Sequence, residues 1–178
     1  VTFTESKRIK MALKIDSDLD VAAIVAFGNE VKAPKRLRLN ILSMSNVDVK
    51  AKRHYFDPKK NMSDMVFLDK WGNTAGVEDF IGFYDDMLWE AFYAASLTPS
   101  YLNRQPYGFI IHDNTVTLVK MPDSFTPPID EALGLGIVML HFTAVLSVWF
   151  PQLKWNLDEN ASRLSLPEGY EAIASCSL

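Results

Sequence analysis

Cysteine is almost missing from this chain of 178 residues: Cys176 stands alone, which excludes an internal disulfide. Its apolar neighbours Ile173-Ala174-Ser175 predict a buried small hydrophobe rather than a nucleophile, and a reducing, cytoplasmic setting fits such a thiol. No apolar run reaches the length of about eighteen residues that a membrane span needs. The longest stretch, Ala132 to Phe150, is broken by Gly134, Gly136, His141, Thr143 and Ser147, so no membrane partner is expected. A signal-peptide pattern is also missing. Histidine is scarce, and His54, His112 and His141 lie far apart with no second ligand one helical turn away, which leaves no metal site to expect. There is no Gly-x-Ser-x-Gly elbow for a nucleophile triad, no Walker loop, and no Gly-x-Gly-x-x-Gly. Gly134-Leu135-Gly136 lacks both a third glycine and a preceding strand, so a Rossmann site is not expected.

What is present suits one globular domain over residues 1–178: 48% of the residues are apolar and 22% charged. Eighteen Lys and Arg against twenty-two Asp and Glu leave a net charge of -4, which argues against nucleic acid as a partner. The charge is uneven, with nine basic and two acidic residues from Lys32 to Lys60. Such a run is either a solvated loop and helix face or a surface for a phosphate-bearing or acidic partner. The opening Val1-Thr2-Phe3 does not begin with Met and reads as the continuation of something already under way.

In chain order, Ile9, Ala12 and Leu13 predict a short helix ending near Asp16, and Val21 to Phe27, stopped by Gly28-Asn29, predicts a central strand. The pattern weakens from Glu30 to Lys60, where a short helix around Arg36 to Met44 is expected, and Val66-Phe67-Leu68 is a short hydrophobic piece running into a turn; residues 30–76 as a whole are expected as an irregular surface excursion. Leu88, Trp89, Phe92 and Ala95 form a helical stripe that must face a core. Gly108 to His112 and Thr115 to Lys120 flank Asp113-Asn114, which predicts a hairpin with a two-residue turn. A long helix follows Asp130-Glu131, with Leu133, Ile137, Leu140, Ala144, Val145 and Val148 at spacings of three and four, and Pro151 ends it. Gly134 and Gly136 would let another backbone or a flat ligand come close, close packing being the commoner reason. Leu153 to Leu157 and Tyr170 to Cys176 complete the list as strands.

Between the first strong helix and the hairpin lies Ser96-Leu97-Thr98-Pro99-Ser100-Tyr101-Leu102-Asn103-Arg104-Gln105-Pro106-Tyr107. Pro99 cannot continue a helix and pushes Thr98 towards an extended conformation, so the chain leaves the helix carrying short hydrogen-bonding side chains. A rigid polar exit of this kind suits a planar polar ligand. The pattern Pro99-Ser100-x-x-Asn103-x-Gln105-Pro106-Tyr107 resembles the Pro-Ser-x-x-Asn-x-Gln-Pro-Trp loop of the nitroreductase superfamily, with Tyr107 in place of Trp. Gly134-x-Gly136-Ile137-x-Met139-x-His141-Phe142, Trp155 and Gly169 to Ala174 are similar to the branch in which one polypeptide carries two nitroreductase-like halves. The likeness covers the linker, around Ile24 to Gly28, and the second half.

That resemblance implies an α+β fold with a central, mostly antiparallel sheet flanked by helices. It also implies FMN as cofactor, NAD(P)H as co-substrate, and a nitroaromatic, quinone or similar small-molecule electron acceptor. The flavin would carry the chemistry, so no catalytic side chain is expected. Ser100 and Asn103 would hydrogen-bond the polar edge or side chain of the flavin, Pro99 would fix the loop against the ring, and Gln105 would brace the turn. The family's arginine-rich Arg-Arg-Ser-x-Arg phosphate segment has no counterpart here; Lys7-Arg8 matches neither its spacing nor its context. Upstream sequence, a partner segment or a homodimer would complete the flavin site, or flavin binding has been lost and the fold serves as a non-catalytic scaffold.

Overall fold

A computed structural model describes residues 6–16, 18–21, 24, 28, 37–43, 46–51, 57–76, 85–157 and 164–178. The chain divides into two compact units, Val1–Tyr55 and Phe56–Leu178.

In the first unit the helix α1 spans Ser6–Leu13 and buries none of its residues. It ends where Lys14 turns left-handed at φ 55° and the Ile15 N–H reaches back to the Lys10 carbonyl. The Ser6 hydroxyl accepts from the Val21 N–H at 2.8 Å, and Lys10 Nζ donates to the Leu19 carbonyl at 3.0 Å, so the chain after the helix folds back along it. Val21 and Ile24 lie outside any strand; the other residues of the expected central strand fall outside the described residues. The strands β1 (Leu37–Ser43) and β2 (Asn46–Ala51) pair antiparallel, Leu39 opposite Val49 and Ile41 opposite Val47. Over 37–43 and 46–51 strands thus stand in place of the expected irregular excursion and its helix around Arg36 to Met44; Arg36 and Met44 themselves fall outside the described residues. Leu37, Leu39 and Ile41 alternate with Arg38 and Asn40, the period of a strand and not of a helix.

The second unit is α+β. Its mixed sheet runs in the order β3 (Val66–Leu68), β4 (Tyr107–His112), β5 (Thr115–Lys120), β6 (Glu171–Ser177). Only the short β3 pairs parallel, with β4; the other two pairings are antiparallel. The expected hairpin is β4–β5, turned by Asp113 at φ 50° and Asn114. Leu153 to Leu157 does not form the expected strand: only Asn156 makes a bridge, to Ser175, while Trp155 is spent on the Thr143 hydroxyl, to which its Nε1 donates at 2.8 Å.

Two helices, α2 (Asp85–Ser96) and α3 (Pro128–Leu146), supply the rest of the main core. Pleat alternation puts Phe109, Val116, Leu118 and Cys176 on one face of the sheet, where they meet Ala91, Phe92 and Ala95 of α2 and Val138, Phe142 and Leu146 of α3. Phe109 and Phe142 stack with ring centroids 5.7 Å apart, and Phe92 lies 5.1 Å from Phe109. Burial pushes the Cys176 thiol up to about 12, as befits a core residue rather than a nucleophile. On the other face Phe67, Ile110 and Val119 pack with Trp71 and Tyr170. Gly108 is required there, since a Cβ would lie 2.7 Å from the Trp71 ring and 2.9 Å from the Met65 carbonyl oxygen.

The helix α3 corrects two expectations. Its buried residues are Leu135, Val138, Phe142 and Leu146, whereas Leu133, Leu140 and Val148 are exposed. Nearly every position of this helix is apolar, so spacing alone fits more than one face. Nor are Gly134 and Gly136 sites of close packing, for a Cβ added to either meets nothing within 4 Å. The helix ends at Leu146, before Pro151, and begins with Pro128 and the acidic Asp130 and Glu131, which favour an N-terminus.

Candidate functional site

The end of α2 exposes carbonyl groups that need donors, and the loop after it is built around supplying them. The hydroxyls of Thr98 and Tyr107, 2.6 Å apart, share the Ala95 carbonyl between them. Gln105 Nε2 donates to the Ser96 carbonyl at 2.7 Å. Lys59 Nζ donates to the carbonyls of Ser96 and Thr98 at 3.1 and 3.0 Å, a cation at the negative end of a helix. Tyr107 is thus a structural residue, and burial raises its phenol above the ordinary range.

Beyond Pro99 the backbone is unusual. Leu102, Asn103 and Gln105 all take left-handed conformations, with φ of 48°, 58° and 48°. Asn tolerates this region, but for Leu and Gln it costs about 1 kcal/mol each. Around these residues the loop is tied to itself: Gln105 N–H donates to Ser100 Oγ at 3.0 Å, and the N–H groups of Asn103 and Arg104 donate to the carbonyls of Ser100 and Tyr101.

A second segment, Asp57 to Lys60, runs beside the loop. Asp57 N–H donates to the Leu102 carbonyl at 2.9 Å, and Asn103 Nδ2 donates to the Asp57 carbonyl at 2.7 Å. Lys60 N–H donates to Gln105 Oε1 at 3.0 Å, and Lys60 Nζ donates to the Gln105 carbonyl at 2.9 Å and to Met121 Sδ at 3.4 Å. Desolvation lowers the pKa of both lysines, and for Lys60 the nearby Asp64 opposes it. Arg104 crosses the end of the loop, its Nε 2.7 Å from Asp123 and its Nη1 3.1 Å from Asp57, with the guanidinium over the Phe125 ring. Burial opposes the charge on Asp123, but hydrogen bonds from Arg104, the Thr126 hydroxyl and the Phe125 N–H outweigh it and hold the carboxyl at about 2.

The four residues expected at a flavin are therefore close together but not alike. Pro99 is exposed, and Ser100 and Asn103 are half-buried at the surface of the loop. Gln105 is fully buried with both amide ends bound to protein, an arrangement that braces the turn. Sequence reasoning missed Asp57, Lys59, Lys60 and Asp123, because Asp57-Pro58 and the basic run are also the signature of a solvated loop. Among the described residues no three His, Cys, Asp or Glu side chains are grouped to hold a metal ion.

Comparison with known protein families, characterised proteins and solved structures returned no match.

Proposed function

We propose that the chain has a nitroreductase-like fold and acts in an FMN-dependent NAD(P)H oxidoreductase, with the Pro99–Asn103 face of the loop as the flavin contact. The observation that carries this reading is the division of labour within the loop: Gln105 is spent inward, while Ser100 and Asn103 keep capacity at the surface. Ser100 accepts from the Gln105 N–H, which leaves its hydroxyl hydrogen to donate. Asn103 donates through Nδ2, which leaves Oδ1 to accept. One donor and one acceptor beside the rigid ring of Pro99 fit the carbonyl and N–H rim of an isoalloxazine. Bound FMN would supply the two-electron relay from NAD(P)H to a nitroaromatic, quinone or similar acceptor. The protein's part is to hold the ring on a pre-shaped loop and shield one side of it.

The same residues do not fit the FMN phosphate. Arg104 is neutralised between Asp57 and Asp123, and Lys59 and Lys60 donate to loop carbonyls. This favours a second reading, a non-catalytic scaffold that keeps the loop for its own stability. Adding FMN to the purified chain separates the two. The enzyme reading expects quenching of FMN fluorescence and a bound blue-absorbing species, weakened at least tenfold by Ser100→Ala combined with Asn103→Ala. A chain that stays colourless and leaves FMN fluorescence unchanged supports the scaffold.

A further inference from the structure

Each left-handed residue of the loop is held by the segment that runs beside it. The Leu102 carbonyl accepts from the Asp57 N–H, Asn103 Nδ2 donates to the Asp57 carbonyl, and Gln105 is gripped twice by Lys60, through its side-chain oxygen and its backbone carbonyl. Lys59 fixes the opposite end of the loop, where Ser96 and Thr98 leave the helix. From this correspondence we infer that Asp57–Lys60 is a positioning strap: Lys59 and Lys60 hold Pro99, Ser100 and Asn103 in the conformation that presents them to a ligand.

The strap contributes no group to the ligand face itself. Its two ammonium groups are directed at main-chain oxygens, and its acidic member is paired with Arg104. A loop with this much left-handed backbone relaxes to commoner conformations when its external ties are cut: the turns closed by the Asn103 and Arg104 N–H groups span Leu102, but the Leu102 carbonyl itself is bonded to the Asp57 N–H of the strap. Loosening the strap therefore moves the Ser100 hydroxyl and the Asn103 amide apart without altering either. The identity of the ligand, FMN, rests on the function proposed above; the holding of the loop does not.

The test uses the full chain with Lys59→Met and Lys60→Met, which keep side-chain length and remove the donor, and Lys59→Arg, which restores one. Amide hydrogen exchange is followed at Asn103, Arg104, Gln105 and Tyr107, with Phe109 and Leu118 in the sheet as controls, and FMN affinity is read by fluorescence quenching. The expected result is loop exchange at least tenfold faster in both Met variants, unchanged exchange in the sheet, a comparable loss of FMN affinity, and recovery of both in Lys59→Arg. If Lys60→Met also speeds exchange in the sheet, the more exposed Lys59→Met decides. Unchanged loop exchange in Lys59→Met overturns the strap, and so does faster loop exchange with FMN affinity unaltered. If the unaltered chain takes up no FMN, the flavin reading falls, and the exchange arm still decides for or against the strap.

Discussion

Lys60 holds Gln105 at both ends of the residue: its backbone N–H donates to Gln105 Oε1 at 3.0 Å and its Nζ to the Gln105 carbonyl at 2.9 Å. The amide nitrogen of the same side chain caps the Ser96 carbonyl. Gln105→Ala therefore leaves the Lys60 N–H without its partner and takes from the Ser96 carbonyl one of its two donors, Lys59 Nζ being the other, at a cost of about 2 kcal/mol. Urea denaturation followed by circular dichroism checks this. A loss under about 1 kcal/mol would mean that water or a neighbouring group replaces both bonds.

Leu102 offers a reversal of the usual order of side chains. At φ 48° a glycine is unstrained and an alanine is not. Leu102→Ala and Leu102→Gly lose the same contacts, so Leu102→Gly is expected to be the more stable of the two by about 1 kcal/mol, as a difference in thermal midpoint. In an ordinary helix position the ranking is opposite.

Acid should weaken this part of the protein in a defined window. The Asp123 carboxyl, whose side chain is only 3% exposed, is held at about 2 against an ordinary 3.8. A depressed folded value means stability that is complete above 3.8 and is lost as pH falls towards 2, amounting to about 2 kcal/mol. Stability measured at pH 6 and at pH 2.5, conditions chosen on either side of about 3.8, should differ more in the parent than in Asp123→Asn, whose curve should be flatter there.

His112 titrates in the opposite sense. Its Nδ1 lies 2.9 Å from Asp69 and its Nε2 3.7 Å from Asp113, and these carboxylates, the hydrogen bond to Asp69 first, raise its pKa above 6.5. A raised folded value stabilises the folded form below 6.5, and that contribution disappears as pH rises through the folded pKa. Proton NMR of the imidazole should give a midpoint above 6.5 that falls back towards it in Asp69→Asn, with a smaller fall in Asp113→Asn. A midpoint unmoved by Asp69→Asn would remove the pairing as its cause.

The elements legible in the sequence are those whose signals are local. Asp113-Asn114 between two apolar runs marks the β4–β5 hairpin, and Leu88, Phe92 and Ala95 mark the core face of α2. Pro99 marks the exit from α2 for the same reason. The face of α3 was not legible, because Leu133 and Leu140 on its outside are as apolar as Leu135 and Val138 on its inside. Half of the candidate site was hidden by distance. The loop announces itself in a dozen residues, but the bonds that shape it come from positions 37 to 47 residues earlier, in a basic run with no periodicity. No local pattern distinguishes a lysine that meets two carbonyls from one that meets water.

Two isolated bridges among the described residues, Thr74 to Phe67 and Asn156 to Ser175, bear on the protein's behaviour at high concentration. Thr74 lies against Phe67 on the outer side of β3, where Leu68 N–H and the Val66 carbonyl are bonded to Asn73 and Ala75, and Asn156 exchanges two hydrogen bonds with Ser175 on the outer side of β6. Free rows of backbone groups at the borders of a sheet are templates for strands of other molecules, the first step towards fibrils. Here each border of the four-stranded sheet is interrupted near its middle by the chain's own backbone. A foreign strand that pairs there must first displace Thr74 or Asn156.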